Sequence, residues 1–441
     1  MTAEHAASVR LPRRGDEAAP GAWLIVGLLT AAVIVAYSDR LVLNLLIDPI
    51  RRDLRISDTQ FSILQGVSFG LINAVANPAL AWLSDRTSRR WILIGAMTLW
   101  GVATIGCGLA SQYGQMIGAR ALLGFGEAAL LPTAFALICE HFPADRRTTA
   151  LGVLFTGVGV SAGIGVLTGG VLLKSAESGV LGSLVILSSL PPWRLVFVLM
   201  GVPPLMIALC LLFALKSGAA RTHEPAAPRG AAGRATRTPL APLVWGYVAA
   251  SAYLIAFWAE ESWIPALLIR RHGFDAAAAG SAFGIITIIS GVLSPLLGLR
   301  ISDSLRRKYG GRGPYMTAAG ALLIAIPAAL LLSSTSTALI VATALVLDTA
   351  ILVCAFAFIS SLQDLLPTRH MALGIAIVYF ASGAIGASVG PTLVALATDR
   401  LYGAETALDK SLVTVLLPAL VISILAFLAG VRSQRRQRTV R

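Results

Sequence analysis

The chain has 441 residues, of which 56% are apolar (AVILMFWYC) and 13% charged, with a mean hydropathy of +0.79. A soluble globular chain is about 45–50% apolar and about 25% charged, so this one cannot cover its surface against water and reads as an integral membrane protein. The net charge of +13 lies in short basic clusters between long apolar stretches, which is how cytoplasmic loops look and not how a nucleic-acid surface looks. Lys174, Lys216, Lys308 and Lys410 are the sole lysines, an arginine bias that, with so much alanine, fits a GC-rich bacterium.

A membrane-crossing helix needs about 20 apolar residues. Residues 1–21 contain Arg10, Arg13 and Arg14 and no apolar run, so they read as a cytoplasmic tail. The first apolar stretch, 22–47, is too long for a signal-peptide core and carries Asp39 and Arg40, so it is expected to be a retained first span. Five more stretches follow at 58–83, 91–110, 115–138, 149–173 and 193–215. A polar linker at 216–241, rich in Ala, Pro, Gly and Arg, precedes another six at 242–268, 277–299, 315–333, 337–361, 372–396 and 411–431. The basic run 432–441 reads as a second cytoplasmic tail. The expected fold class is all-α integral membrane, with twelve spans in two six-helix bundles, 22–215 and 242–431. Cys107, Cys139, Cys210 and Cys354 fall inside apolar stretches and read as small buried hydrophobes.

Loops on the side of the N-terminus hold 24 Lys and Arg, the opposite loops hold 9, and Arg40 and Arg120 lie within spans. The basic excess marks the cytoplasmic side, so both termini are expected there, in a bacterial inner membrane. The two halves also repeat one another. Asp85-Arg86-Thr87-Ser88-Arg89-Arg90, after the second span, is echoed after the eighth by Asp303-Ser304-Leu305-Arg306-Arg307-Lys308. Pro143, leading into Ala150-Leu151-Gly152, is echoed at nearly the same offset by Pro367, leading into Ala372-Leu373-Gly374. Parallel repeats of this kind place a substrate site near the midplane, between the halves.

These landmarks resemble the major facilitator superfamily across the chain after residue 21. Ala81-Trp82-Leu83-Ser84-Asp85-Arg86-Thr87-Ser88-Arg89-Arg90 is similar to that superfamily's G-x-L-x-D-R-x-G-R-R loop, with both glycines replaced and the charged frame kept. Arg120-Ala121-Leu122-Leu123-Gly124-Phe125-Gly126-Glu127-Ala128 resembles its R-x-x-x-G pattern in the fourth span. The Gly-x-Gly-Glu-Ala ending, with Tyr37-Ser38-Asp39-Arg40 and Ile56-Ser57-Asp58-Thr59-Gln60, is similar to the spinster branch. The anion:cation symporter branch shares the Asp-Arg and Glu-Ala elements. The glycine series of the fifth span, from Gly152 to Gly170, lacks the proline found in drug:proton antiporters and reads as close helix packing.

A charge at the bilayer centre costs at least about 2.5–3.5 kcal/mol on insertion scales, so each deep charge needs a partner or water. Asp39, Arg40, Arg120 and Glu127 are expected to form one network between the first and fourth spans, with the two arginines engaged by the two carboxylates. The network either glues those spans together or carries protons. The proton affinity of a carboxylate depends on the water and guanidinium around it, and opening the cavity to one side changes both. Arginine keeps its proton, so Glu127 and Asp39 are the candidate carriers, and the resemblance to spinster-like proteins implies the same positions. Asp85, Arg86, Arg89 and Arg90, with Asp303, Arg306 and Arg307, are expected to gate the cytoplasmic side, Asp85 capping a helix of the other half. Asn73 and Asn77, four apart on one helix face, are expected to make interhelical hydrogen bonds or to line the cavity. Glu260 and Glu261 read as a rim or gate near the outer end of the seventh span. Asp348 reads either as a hydrogen-bonded packing acid or as a cavity group.

No enzyme signature stands out: the five histidines fall in tails, loops or span ends, away from any metal-ligand spacing, and no phosphate loop is present. The expectation is a monomeric, proton-coupled secondary transporter among membrane lipids, with no cofactor or metal and no nucleic-acid partner. Its substrate is expected to be a lysophospholipid-like amphipath, as for spinster-like transporters, or a small organic anion, as for anion:cation symporters. A non-transporting membrane sensor or a membrane-embedded enzyme is the remaining class, and the doubled charged loop counts against it.

Overall fold

The computed structural model describes residues 21–178, 190–215 and 240–439, and every regular element among them is helical. Six membrane helices form the first half: α1 (Ala22–Leu45), α2 (Asp58–Arg86), α3 (Arg89–Leu109), α4 (Tyr113–His141), α5 (Ala144–Glu177) and α6 (Pro192–Ala214). The second half holds α7 (Leu240–His272), α8 (Ala276–Tyr309), α9 (Gly313–Leu331), α10 (Thr337–Leu365), α11 and α12 (Leu408–Thr439). Helix α11 runs through Thr368–Ala381, Ser382–Ala387, Ser388–Leu396 and Ala397–Tyr402. A short amphipathic helix, Ile47–Leu54, joins α1 to α2. The expected tail at 1–21 and linker at 216–241 lie outside the described residues, apart from Gly21, Leu240 and Ala241. The basic run expected as a second tail is helical as far as Thr439, continuing α12.

Local sequence explains where several helices start and bend. Ser57 and Gln60 close a capping box at the head of α2, the Ser57 hydroxyl accepting from the Gln60 N–H (3.1 Å) and the Gln60 side chain accepting from the Ser57 N–H (3.0 Å), which satisfies two orphan donors. Asp275 caps α8 on the Ala278 N–H (2.6 Å). Helices α2 and α11 each contain a π-helical turn, Gly66–Leu71 and Ser382–Ala387, where they cross; such turns are commonest at functional sites. Helix α4 breaks after Glu127, and Ala128 and Ala129 form a turn before it resumes at Leu130.

Within the first half α1 packs along α5, and α3 against α4 and α6; within the second, α7 packs along α11 and α12, and α10 along α8 and α9. Large apolar residues such as Val75, Leu122, Phe213, Ile285 and Leu425 face outward, as lipid requires. Cys107 and Cys354 are buried as expected, but Cys139 and Cys210 are exposed. An all-apolar helix gives no sign in its sequence of which side meets lipid.

The halves meet where α2 crosses α11 and where α5 runs along α8. A Cβ on Gly66 would strike the Ala387 carbonyl and come within 2.9 Å of Ser388 Cα, and one on Gly163 would lie 3.0 Å from the Gly284 carbonyl. Glycine lets these backbones approach as they do. Both crossings lie towards the face opposite the start of α1, the far face. There Arg270 of α7 bridges Asp48 (3.0 and 2.7 Å) and Asp58 (2.8 Å each) of the first half. Arg51 pairs with Asp58 (3.0 Å) and with Glu405 of the second half (2.9 Å). Asp399 of α11 accepts from both the N–H and the hydroxyl of Thr59 (2.8 and 2.7 Å), at the head of α2. One layer deeper, Asn44 donates to the Glu261 carbonyl (2.9 Å), and Gln65 donates to Asn44 (2.6 Å) and Ser262 (2.7 Å).

Two outcomes follow from this seam. Gly66→Val should hold α2 off α11 and lengthen the distance between spin labels at Arg52 and Ala404, on opposite sides of the far face; an unchanged distance distribution would remove the role given to the crossing. Asp58→Ala should lower the melting temperature in detergent by the equivalent of about 3 kcal/mol, the lower end for breaking a buried pair, because Arg270 keeps Asp48.

Candidate functional site

Asp39 and Arg40 are neighbours on α1 about 100° apart, so their side chains leave the helix towards different partners. Asp39 turns to α3, where its Oδ2 accepts from the Trp100 indole N–H (2.7 Å) and the Thr104 hydroxyl (3.3 Å). Arg40 turns to α4 and pairs directly with Glu127. Its guanidinium also lies 4.9 Å from the Tyr37 ring centroid and 4.8 Å from that of Phe69. Arg120 lies 5.0 Å from the same Phe69 ring and donates through Nε to the Leu64 carbonyl (3.3 Å). One aromatic ring on the π-helical turn of α2 thus serves two cations, a contact worth about 2 kcal/mol or more when desolvated.

Glu127 ends the first segment of α4, where the Gly124 carbonyl already accepts from the Ala128 N–H (3.2 Å) and the Ala128 carbonyl loses its helical donor because Pro132 has no N–H. Asn73 donates to the Gly124 carbonyl (3.0 Å) and Asn77 to that of Ala128 (3.1 Å), the four-residue step on α2 matching the four-residue step on α4. Both asparagines also line a polar cavity of about 30 Å³ with Tyr37, Arg40 and Glu127, room for a water or two. Interhelical bonding and cavity lining are therefore one role here.

Three expectations need correction. The network is not two arginine–carboxylate pairs: Asp39 is held by an indole and a hydroxyl, and Arg120 by a carbonyl and a ring, because α1 aims Asp39 at α3 and Phe69 sits beside Arg120. Glu260 and Glu261 are not an outer rim. Glu260 is 12 residues below the far end of α7, about 18 Å at 1.5 Å per residue, and is fully buried, with Glu261 and Asp348 of α10 nearly so. Asp348 accepts from the Ser290 hydroxyl of α8.

The third correction concerns the charged loops. Among the described residues Asp85 caps no helix of the other half; it pairs with Arg89 (3.1 Å), which also pairs with Glu140 of α4. Arg86 lies 4.1 Å from the Trp82 ring centroid, and Arg90 donates to the Leu212 carbonyl (2.6 Å). In the second half Arg306 pairs with Asp303 (2.5 Å) and with Asp364 of α10 (2.9 Å), while Arg307 is exposed. Each loop is thus closed on its own half, since the face that carries both loops is the one away from the inter-half seam. Glu140 and Asp364 were missed, yet each stands three before its proline of the repeated pair, Pro143 and Pro367, so the repeat could have found them. Asp48 and Arg270 carry no such signal; they meet through the tertiary fold alone.

The Major Facilitator Superfamily model matches residues 28–391. An MFS-type efflux pump of Mycolicibacterium smegmatis is 28% identical over 419 residues, covering 94% of each chain. Spinster homolog 1 of Mus musculus is 28% identical over 413 residues, covering 86% of this chain and 73% of that one. Among solved structures, a bacterial homolog of the human lysosomal transporter spinster, inward-facing and unoccupied, superposes with a TM-score of 0.78 at 21% identity, over 94% of this chain and 98% of that one. With its two packed six-helix halves and this match over most of its length, the chain belongs to the Major Facilitator Superfamily and is similar to its spinster-like transporters.

Proposed function

We propose that the protein is a proton-coupled secondary transporter working by alternating access, with the ion pairs and hydrogen bonds of the far face holding that side shut. The observation that carries this reading is the Arg40–Glu127 pair in the wall of a small polar cavity. Glu127 is the carrier we assign, because it lines that cavity whereas Asp39 is enclosed by Trp100 and Thr104. Protonating Glu127 releases Arg40, and the freed guanidinium then has an anionic group to seek. The basic excess on the loop-bearing face supports placing that face and both termini in the cytoplasm, with the protein a monomer in a bacterial inner membrane and no cofactor beyond the coupling proton. The assignment contains no catalytic step, so the protein is proposed as a carrier and not an enzyme.

For the substrate, the arrangement favours one anionic focus over two. Arg120 faces no carboxylate at ion-pair distance among the described residues and keeps its Nη1 unpartnered, while Arg40 is committed to Glu127 until that acid is protonated. A single head-group charge beside an apolar body, as in a lysophospholipid, fits this better than a small dianion. Similarity to mouse spinster homolog 1 and to the efflux pump supports a transporter and leaves the substrate to the site's own chemistry. The second reading is a small organic anion, favoured by the two cations that stand free once Glu127 is neutral.

In proteoliposomes, Glu127→Gln should let substrate equilibrate but bring proton-driven accumulation down to the equilibrium ratio, because the amide keeps the shape and loses the titration. Asp39→Asn should retain partial accumulation. Uphill transport by Glu127→Gln at the wild-type rate would move the carrier to another acid. Thermal stabilisation of the purified protein by lysophospholipids and not by short-chain organic acids is the expected ligand profile; the reverse would select the second reading.

A further inference from the structure

The second half contains a group of charges that the site above does not use. Glu260 and Glu261 are adjacent on α7, which packs against both α10 and α8. Asp348 lies on α10, which packs against α7, and Ser290 of α8 donates to its Oδ2. Both carboxylate oxygens of Glu260 are buried without any hydrogen-bond partner, although the residue is 0% exposed; one oxygen each of Glu261 and Asp348 is likewise unpartnered. Asp348 stands 11 residues from the far end of α10, about 17 Å, so the three buried carboxylates lie at one level of the packed helices α7 and α10, about as deep as Glu127, which lies 14 residues, or about 20 Å, below the far end of α4.

The neighbouring helices offer these acids little counter-charge. Helix α10 supplies Asp348 and, further along, the buried Cys354. Helix α8 faces the cluster with Ser290. Helix α1 approaches with Asn44, an amide bonded to the Glu261 carbonyl. Helices α11 and α12 carry Asp399 and Asp409 near the far face, bonded to Thr59 and Arg271. The cation next along α7, Arg270, is engaged by Asp48 and Asp58. No arginine, lysine or histidine makes an ion pair with the three acids among the described residues. Carboxylates so placed cannot all be ionised, since an unpaired buried charge neutralises instead, and the acids do not form a group able to hold a metal ion among the described residues.

We infer that Glu260, Glu261 and Asp348, steadied by Ser290, form a second proton-binding site, separate from Glu127. The Asn44–Glu261 and Gln65–Ser262 bonds lie directly beside it, across the seam between the halves. While the seam is shut the acids are cut off from the far face and hold their protons. When the halves part there, the bond on the Glu261 backbone is lost, water reaches the carboxyl groups, and protons pass to that water as hydronium.

Infrared difference spectroscopy on the purified full-length protein tests this without substrate, so it stands or falls apart from the transport reading. At neutral pH the wild type should show the C=O stretch of protonated carboxylic acids, and Glu260→Gln and Asp348→Asn should each remove part of it. Glu127→Gln should leave that part in place. Should Glu260→Gln fold poorly, Asp348→Asn and Glu261→Gln carry the same reading. Loss of carboxylate bands in place of the acid band would overturn the inference by showing an ionised cluster. Sodium chloride, but not choline chloride, raising the melting temperature of the wild type and not of Glu260→Gln would also overturn it, making the site one for sodium.

Discussion

Arg40 and Glu127 neutralise each other in the middle of the membrane, and much of the first half is arranged around that requirement. An ion taken out of water costs several kcal/mol, which its partner repays only with good geometry and further hydrogen bonds. The π-helical turn in α2 brings Phe69 up to both guanidiniums, and the break in α4 places Glu127 opposite Arg40. Asn73 and Asn77 then satisfy carbonyls around that break. Two irregularities that would weaken an isolated helix are what allow a cation and an anion from different helices to meet beside a water-sized cavity.

The duplication reaches further than the loops that revealed it. Gly284 stands as far after Gly66 as Asp303 stands after Asp85, and Ala387 as far after Gly163 as Pro367 after Pro143. The same two offsets that relate the charged loops and the paired prolines therefore relate the partners of the two inter-half crossings, Gly66 on Ala387 and Gly163 on Gly284. One ancestral contact, used twice, makes a hinge with two equivalent rails. At the other face the same offsets relate Asp85 to Asp303 and Glu140 to Asp364, and each acid pair is bridged by an arginine of its own half, Arg89 in the first and Arg306, one position short of the repeat, in the second.

The helices, their number and the deep charges were legible because long apolar runs and intramembrane ions are both rare outside their structural causes. What the sequence could not convey was direction. Asp39 and Arg40 are adjacent in the chain but serve α3 and α4, and only the packing of α1 decides which goes where. Glu260 and Glu261 read as a rim or gate from their place along the seventh span, since depth along a 33-residue helix is hidden when its ends are not yet known. Arg270 looked like one more loop cation until the fold set it on Asp48 and Asp58.

The composition of the far-face seam also bears on how such a molecule can move. A seam built of large interdigitated apolar side chains would lose their whole burial on opening, at about 25 cal/mol per Å², and would lock one state. This one instead combines bare glycine backbone with ion pairs around Arg270, Arg51 and Asp58. Ions that are paired when shut are hydrated when open, so desolvation and attraction nearly offset and the two states stay within a few kcal/mol. A gap of that size is what a ligand or a proton can reverse, because a population shift from 1:99 to 99:1 needs only about 5.5 kcal/mol of differential binding. Glycine for close approach and charge for reversible closure are thus parts of one solution: a seam tight enough to exclude water and weak enough for the charge state of a few buried acids to open it.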